Sequence, residues 1–242
     1  WGASVVPPIR VLDFGCGIGQ SVAWLLGQGH DAWGVDIEEH WGADFDRFWH
    51  AAERPTREVT ERLRLAPLNP YRVPFDDASF DLIFSDQVME HVFNPVDVLR
   101  ELGRVLKPDG LSIHRFPGFN VPVEGHIGVP VIPLCRYRWW LMLWARLGVR
   151  SSRQRGMPWW QVLESNQAMM RFCNYATQAQ WRAWGRVAGV HVRFASADGI
   201  RHAGLGRAHR LSVRARAYGM DRAVATVLAL VSQQTMLVQR QA

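Results

Sequence analysis

The stretch Val11-Leu-Asp-Phe-Gly-Cys-Gly-Ile-Gly-Gln20 is a short apolar run that leads into three glycines at alternate positions. Ile9–Phe14 predicts a buried strand, and Gln20–Leu26 predicts a helix directly after the glycines. Glycine lets the chain turn sharply and lets a ligand approach the backbone. The amino end of the helix then offers free N–H groups to a negatively charged ligand. The stretch therefore predicts a binding site for a nucleotide or an amino-acid carboxylate.

The spacing of these glycines distinguishes between two cofactor classes. Dinucleotide-binding folds use G-x-G-x-x-G, and here the third glycine of that pattern falls on Gln20. Gly15, Gly17 and Gly19 instead follow Asp13 in a D-x-G-x-G-x-G pattern. This pattern resembles motif I of the class I methyltransferases, which use S-adenosylmethionine (SAM). A NAD-dependent oxidoreductase stays open as a disfavoured alternative.

Strands and helices alternate through the first half of the chain. This order predicts parallel β-α-β units and a Rossmann-like doubly wound α/β sheet of about seven strands, the last one antiparallel. The first five strands are expected at Ile9–Phe14, Asp31–Ile37, Leu63–Leu68, Phe80–Ser85 and Leu111–Phe116. Towards the end of the chain, we predict strands over Val190–Ala195 and Ala208–Ala217 and a closing helix over Asp221–Val238.

We expect one structural domain in three segments. Residues 1–118 form the cofactor-binding core, and residues 119–176 form a helical and loop insertion after the fifth strand that binds the substrate. Residues 177–242 complete the sheet and provide the closing helix.

Two further segments specify the family. Val73–Val92 contains the run Pro-Phe-Asp-Asp-Ala-Ser-Phe-Asp and ends in Glu90-His91-Val92. It is similar to a segment of the ubiquinone/menaquinone-methyltransferase-like group. Leu99–Gly110 resembles the helix and turn of the same group, with Asp109 in place of a usual glycine. The resemblance covers about half of the chain and implies a SAM-dependent methyltransferase.

For the methionine end of SAM, the resemblance implies contacts from Asp13 and from the loop residues Gly15, Cys16 and Gly17. Asp86, which follows the fourth strand, is implied beside the same moiety.

For the nucleoside of SAM, the sequence and the resemblance agree on Asp36. This residue ends the second strand, where a carboxylate faces the glycine loop and can accept hydrogen bonds from both ribose hydroxyls. The resemblance further implies that Ile37 packs on the adenine. It also places Asn69 where the family often has an aspartate near the adenine amino group, and this departure weakens the assignment of Asn69.

The acceptor site is expected in the insertion. Its loop and its Trp-rich helix, Arg136–Leu147, resemble a subgroup associated with bacterial cell-envelope polysaccharide gene clusters. Methyl transfer to an oxygen benefits from a general base, and histidine suits that task. We predict His126 as the base and Glu124 as the group that orients it. His114 is a weaker candidate, and Glu90 with His91 either orders a loop or contacts the substrate.

Composition sets limits on partners and surroundings. The chain has a net charge of +6 and only three cysteines, with no CxxC pair, so we predict no metal site and expect a reducing cytoplasm. No apolar run approaches the roughly 20 residues that span a bilayer. The Trp-rich helix nevertheless suggests contact with the inner face of a membrane. We predict no nucleic-acid partner, because basic and aromatic residues form no common stripe. A SAM-binding module without catalysis is the remaining alternative.

Overall fold

A computed structural model describes residues 8–41, 54–202 and 206–241 of the chain. In these residues the strands form one seven-stranded sheet with the order β3-β2-β1-β4-β5-β7-β6. The strands are β1 (Arg10–Phe14), β2 (Asp31–Asp36), β3 (Leu63–Leu65), β4 (Phe80–Asp86), β5 (Leu106–Pro117), β6 (Val190–Phe194) and β7 (Gln233–Arg240).

Helices surround this sheet in the order that the sequence predicts for the first half. Among the described residues they are α1 (Gln20–Gly27), α2 (Arg57–Thr60), α3 (Pro95–Val105), α4 (Arg138–Arg146), α5 (Trp159–Arg171), α6 (Gln178–Ala188), α7 (Ser196–His202), α8 (Gly206–Arg216) and α9 (Asp221–Ala229). The sequence over Phe45–Arg64 also predicts a helix that Pro55 interrupts, but the part of this range up to residue 53 lies outside the described residues.

The strand order creates a crevice at the carboxyl ends of the central strands. β1 pairs in parallel with β2 on one side and with β4 on the other. The chain continues from β1 to β2 and β3 on one side and then crosses back to β4 on the other side, and this reversal is the position where doubly wound sheets bind ligands. β7 inserts between β5 and β6 and is antiparallel to both. The predicted seven-stranded α/β sheet with an antiparallel last strand is therefore confirmed.

Two clusters of buried side chains support different parts of the fold. The larger one joins β1, β4 and β7 to one face of α3, where Val98, Leu99 and Leu102 recur at helical spacing. A second cluster lies within the insertion and includes Leu141 of α4 and Val162 of α5. The insertion therefore has an apolar core of its own.

Two predictions for the C-terminal segment are wrong. Ala208–Ala217 was expected as a strand, but α8 occupies this region. The arginines, alanines and leucine of this segment favour a helix, and this preference outweighs its alternating pattern. The expected closing helix over Asp221–Val238 ends at Ala229, and the chain ends in β7 instead. β7 is buried over most of its length because it fills the gap between β5 and β6.

Thr177 caps α6. Its hydroxyl accepts a hydrogen bond from the Gln180 N–H, and the Gln180 side-chain oxygen accepts one from the Thr177 N–H. We expect Thr177→Ala to lower the free energy of unfolding by about 1 kcal/mol, because the first turn loses this cap. Urea denaturation measures the change. Thr226→Ala, at an exposed position inside α9, is the control, and an equal loss in both variants would show that the cap contributes nothing.

In the described part of the chain, no helix has the length and apolar character to cross a membrane.

Candidate active site

The glycine loop adopts a conformation that requires glycine. Gly15, Gly17 and Gly19 all have positive φ angles, of 80°, 51° and 79°. The N–H groups of Gly15 and Cys16 both donate to the Val35 carbonyl, at 2.8 and 3.1 Å, and this ties the loop to β2. A Cβ atom at Gly15 would lie 2.4 Å from a methyl group of Val88. Both the backbone angle and the close contact therefore exclude a side chain at Gly15.

Asp36 lies at the end of β2 and joins the loop to the crevice. One of its carboxylate oxygens accepts a hydrogen bond from the Gly17 N–H at 2.8 Å, and the other accepts one from the Ile37 N–H at 2.7 Å. These bonds fix the orientation of the carboxylate. Each carboxylate oxygen has more than one lone pair, so Asp36 can still accept hydrogen bonds from a ligand in the crevice.

The crevice beside this loop has a volume of about 440 Å³. Four residues predicted to bind the cofactor line it, namely Gly15, Gly17, Asp36 and Ile37. Tyr71 also lines the crevice, and its buried hydroxyl has no hydrogen-bond partner in the described part of the chain. The sequence analysis did not single out Tyr71. A buried polar atom without a partner is costly, so the Tyr71 hydroxyl marks a position where a ligand can bond.

The other four predicted cofactor residues lie near the crevice but do not line it. The Asp13 and Cys16 side chains are buried beside the loop, and Asp86 forms two hydrogen bonds with the Arg115 guanidinium at 2.9 and 2.6 Å. Asn69 lies in a neighbouring cleft, where it precedes a cis peptide bond to Pro70.

Burial changes the acidity of Asp13. Its carboxyl group is only 5% exposed, and burial raises its pKa to about 7. The nearby carboxylates of Asp36 and Asp86 raise the pKa further, while a hydrogen bond from Ser21 lowers it. Near neutral pH, the ligand-free protein therefore holds a proton on Asp13 in about half of the molecules.

We expect the stability of the ligand-free protein to fall as the pH rises from about 4 to about 7, because of Asp13. The folded state holds this proton up to a pKa of about 7, whereas the ordinary value is 3.8. The stabilisation by the bound proton is therefore lost as the pH rises through the folded-state pKa. Urea denaturation at pH 5 and pH 8 measures it, and Asp13→Asn removes the contribution. Asp97→Asn, at an exposed position, is the control and should keep the pH dependence of the unmodified protein. If Asp13→Asn keeps that pH dependence as well, the assignment to Asp13 is wrong.

A cluster of polar side chains lies at one end of the crevice, where His91 lines the wall. Glu124 is fully buried, and one of its oxygens accepts hydrogen bonds from the N–H groups of His126 and Ile127, both at 2.8 Å. The other oxygen accepts from the Tyr175 hydroxyl and from Nδ1 of His126, the latter at 2.6 Å. Burial acts to raise the pKa of Glu124, but these hydrogen bonds outweigh it and lower the pKa. Glu124 therefore holds the His126 ring in one orientation.

His126 and His91 form the centre of this cluster. Their rings are 5.2 Å apart between centroids, and the Cys173 sulfur lies within 4.8 Å of a His126 donor atom and interacts with both rings. The contacts with Cys173 and Glu124 raise the pKa of His126 to about 10. Nδ1 of His91 donates to the Phe172 carbonyl at 2.6 Å. The sequence analysis did not predict a role for Cys173, because no spacing pattern links it to either histidine.

Glu90 is a buried acidic residue of this cluster. Its side chain is 1% exposed, and within the described residues neither carboxylate oxygen has a hydrogen-bond partner. Burial raises the pKa of this carboxyl group. Glu90, His91 and His126 have donor atoms within 4.8 Å of one another. The cluster thus contains a buried carboxylate that faces two imidazole rings.

His114 does not join this cluster. It lies on β5, fully buried, and its two ring nitrogens contact the hydroxyls of Ser85 and Ser112 at 2.8 and 2.7 Å. Burial lowers the pKa of His114 to about 3, so the ring is neutral at pH 7. Since both nitrogens are engaged, His114 is a structural residue of the sheet.

Comparison with known proteins identifies the domain. Residues 12–114 match the family model described as "Methyltransferase domain". The chain is 31% identical over 103 residues to the Methyltransferase GfsG of Streptomyces halstedii, and 34% identical over 105 residues to the ubiquinone biosynthesis O-methyltransferase of Maricaulis maris. These matches cover 42% and 43% of this chain. Residues 12–114 therefore match a methyltransferase domain, as their resemblance to the class I SAM-dependent enzymes implies.

The fold agrees with this assignment over nearly the whole chain. An S-adenosylmethionine-dependent methyltransferase from Mesorhizobium loti superposes with a TM-score of 0.54 and 16% identity, covering 96% of this chain and 91% of that protein. The two curated relatives are longer, and the match spans only 35% and 39% of their lengths. The segment shared with these curated relatives is thus the half of the chain that contains the glycine loop, and the rest of the chain lies outside these matches.

Proposed function

We propose that this protein transfers the methyl group of SAM to an oxygen atom of a hydroxylated small molecule or a cell-envelope sugar. The observation that carries this proposal is the Glu124–His126 pair, which adjoins the end of the crevice through His91. An oriented imidazole next to a cofactor crevice suits the removal of a proton from a hydroxyl group.

In this proposal, the nucleoside of SAM lies along the open part of the crevice. Asp36 accepts hydrogen bonds from the two ribose hydroxyls, and Ile37, whose side chain is half-exposed, packs on the adenine. The Tyr71 hydroxyl provides a polar contact in the same wall. Asn69 is also proposed as an adenine contact, and it would reach the adenine from the neighbouring cleft that it lines.

The methionine end of SAM then lies above the glycine loop. The backbone of Gly15, Cys16 and Gly17 faces its carboxylate, and Asp13 provides negative charge below the loop for its ammonium group. Asp86 is proposed for the same moiety, although the Arg115 ion pair neutralises much of its charge. The sulfonium methyl group in this arrangement points toward the His91 end of the crevice.

The reaction is an in-line displacement at the methyl carbon. The acceptor oxygen forms a bond to this carbon while the carbon–sulfur bond breaks, and its electron pair stays on sulfur to give S-adenosylhomocysteine. His126 in its neutral form takes the proton of the acceptor hydroxyl, and Glu124 orients the ring. Because the pKa of His126 is raised to about 10, this neutral form, and with it the rate, increases as the pH rises toward 10. Alignment of the two reactants supplies most of the rate enhancement.

A labelled-methyl assay tests this function. Incubation of the protein with radiolabelled SAM and a panel of hydroxylated acceptors, including envelope glycans, is expected to label one acceptor class in an alkali-stable ether linkage. His126→Ala should lower the rate by more than about tenfold, whereas His191→Ala, at an exposed position on β6, should leave it unchanged. Label on carbon or nitrogen, or equal rates in both variants, would contradict the proposal.

We further propose that the insertion contacts a membrane surface. α4 and α5 expose Trp139, Leu143 and Trp160 beside Arg136 and Arg138, and this mixture of aromatic and cationic groups suits an anionic lipid interface.

Vesicle co-sedimentation tests the membrane contact. We expect binding to phosphatidylglycerol vesicles to fall several-fold in a Trp139→Ala, Trp160→Ala double variant. Trp24→Ala is the control, because Trp24 is also exposed but lies on α1, away from the insertion. Absence of binding by the unmodified protein would refute the contact.

A further inference from the structure

Three side chains that are distant in sequence converge at the end of the crevice. His91 follows β4, His126 lies in the insertion loop, and Cys173 follows α5. Cys173 interacts with both imidazole rings. The donor atoms of Glu124, His126 and Cys173 also lie within 4.8 Å of one another. One thiol and two imidazoles therefore share a small volume.

Both histidines are oriented in the manner of metal ligands. Nδ1 of His91 donates to the Phe172 carbonyl, and Nδ1 of His126 donates to the Glu124 carboxylate, each at 2.6 Å. Histidines that bind metals almost always donate one ring N–H to a carbonyl or a carboxylate, which leaves the other nitrogen for the ion. In His91 and His126, Nδ1 makes this bond, so Nε2 is the nitrogen available to an ion.

Glu90 is a second and independent indication of a cation. Its carboxylate is 1% exposed and has no hydrogen-bond partner in the described part of the chain. Its oxygen lies within 4.8 Å of the donor atoms of His91 and His126. An unpaired carboxylate in such a position costs several kcal/mol unless a proton or a cation neutralises it.

We propose that His91, His126 and Cys173 bind a zinc-class divalent cation, with the Glu90 carboxylate beside it as a counter-charge. A thiolate with two imidazoles favours zinc over magnesium or calcium, which prefer oxygen ligands. Tetrahedral zinc with bonds of about 2.0 to 2.3 Å holds its donors roughly 3.5 Å apart. The donor atoms of His91 and His126 lie within 4.8 Å of each other, as do those of His126 and Cys173, and side-chain rotations bring them to that spacing. This site replaces the expectation of no metal.

The role of this ion rests on the proposed function. Three protein ligands would leave a fourth position for the acceptor oxygen. The ion would lower the pKa of the acceptor hydroxyl group, so that its proton could leave to solvent before the oxygen attacks the methyl carbon. The carbon–sulfur bond breaks as before, and its electron pair stays on sulfur. In this form of the mechanism, His126 acts as a ligand instead of as the base.

Titration of the metal-free protein with Co²⁺ tests the site directly. We expect one equivalent to bind and to give a thiolate-to-cobalt charge-transfer band in the absorption spectrum. Cys173→Ser should abolish the band. His126→Gln should weaken Co²⁺ binding more than about tenfold, and Glu124→Gln should weaken it about 10- to 100-fold, because Glu124 orients the His126 ligand. His191→Ala should leave both the band and the affinity unchanged.

S-adenosylhomocysteine binding serves as the check on folding and separates the two proposals. A Cys173→Ser protein that still binds S-adenosylhomocysteine but lacks the band supports the metal site. A wild-type protein that binds S-adenosylhomocysteine but no Co²⁺, or one whose band persists in Cys173→Ser, overturns the metal site and leaves His126 as the base. Binding of Co²⁺ without binding of S-adenosylhomocysteine would overturn the proposed cofactor function and not the metal site.

Discussion

Asp36→Ala is expected to weaken the binding of S-adenosylhomocysteine more than 100-fold. The carboxylate is proposed to accept hydrogen bonds from two ribose hydroxyls, and hydrogen bonds to a charged group contribute about 1.5 to 3 kcal/mol each. Their loss therefore corresponds to about 3 kcal/mol or more. The variant also frees the Gly17 N–H, which Asp36 holds at 2.8 Å, so the loop loses one of its supports. Isothermal titration calorimetry measures the affinity.

Glu38→Ala is the matched control for Asp36→Ala. Glu38 lies two residues further along the chain and also carries a carboxylate, but it is exposed and does not line the crevice. Its removal changes the local charge by the same amount. Unchanged affinity in Glu38→Ala with loss in Asp36→Ala would assign the effect to the position of the carboxylate. Equal affinity in both variants would mean that Asp36 does not contact the ribose.

Gly15→Ala is expected to destabilise the protein by about 3 kcal/mol and to abolish cofactor binding. A positive φ angle costs a non-glycine residue about 1 to 2 kcal/mol. In addition, the new Cβ atom would lie 2.4 Å from the Val88 side chain, and overpacking of this kind costs about 1 to 3 kcal/mol. Urea denaturation measures the stability.

Gly29→Ala separates the two causes. Gly29 has nearly the same φ angle, 81° against 80°, but a Cβ atom there would meet no atom within 4 Å. It should therefore show only the backbone cost, and the difference between the variants measures the contact with Val88. Val88→Ala in the Gly15→Ala background should recover part of that difference. If Gly15→Ala and Gly29→Ala lower the free energy of unfolding equally, the close contact with Val88 does not contribute to the destabilisation.

The cofactor side of the molecule could be predicted from short sequence segments. The strand, the glycine loop and α1 are contiguous, and Asp36 follows from the end of the next strand. These elements depend on local patterns that the sequence displays directly. The structure confirms the seven-stranded α/β sheet that alternating strands and helices imply, including an antiparallel last strand.

The last part of the fold could not be predicted in this way, because its structure depends on distant partners. Gln233–Arg240 forms a strand since β5 and β6 leave a gap that it fills, and those strands are far away in sequence. Nothing local marks where α9 must end. α8 shows the opposite case, in which a local alternating pattern predicted a strand and helix propensity prevailed.

The cluster around His126 illustrates the same limit within the site. Glu124 and His126 were predicted together because they lie two residues apart in one loop. Cys173 and Tyr175 reach them from beyond α5, and His91 reaches them from the end of β4. Only the folded chain brings these three segments together, so the thiol between two imidazoles had no sequence signal.

The most direct test of the account is a calorimetric titration of the unmodified protein with S-adenosylhomocysteine and, separately, with NAD. We expect micromolar binding of S-adenosylhomocysteine at one site per chain and no heat with NAD, because Gln20 occupies the third glycine position of the dinucleotide pattern. Binding of NAD, or no binding of S-adenosylhomocysteine by protein shown to be folded, would contradict the assignment of the crevice to SAM.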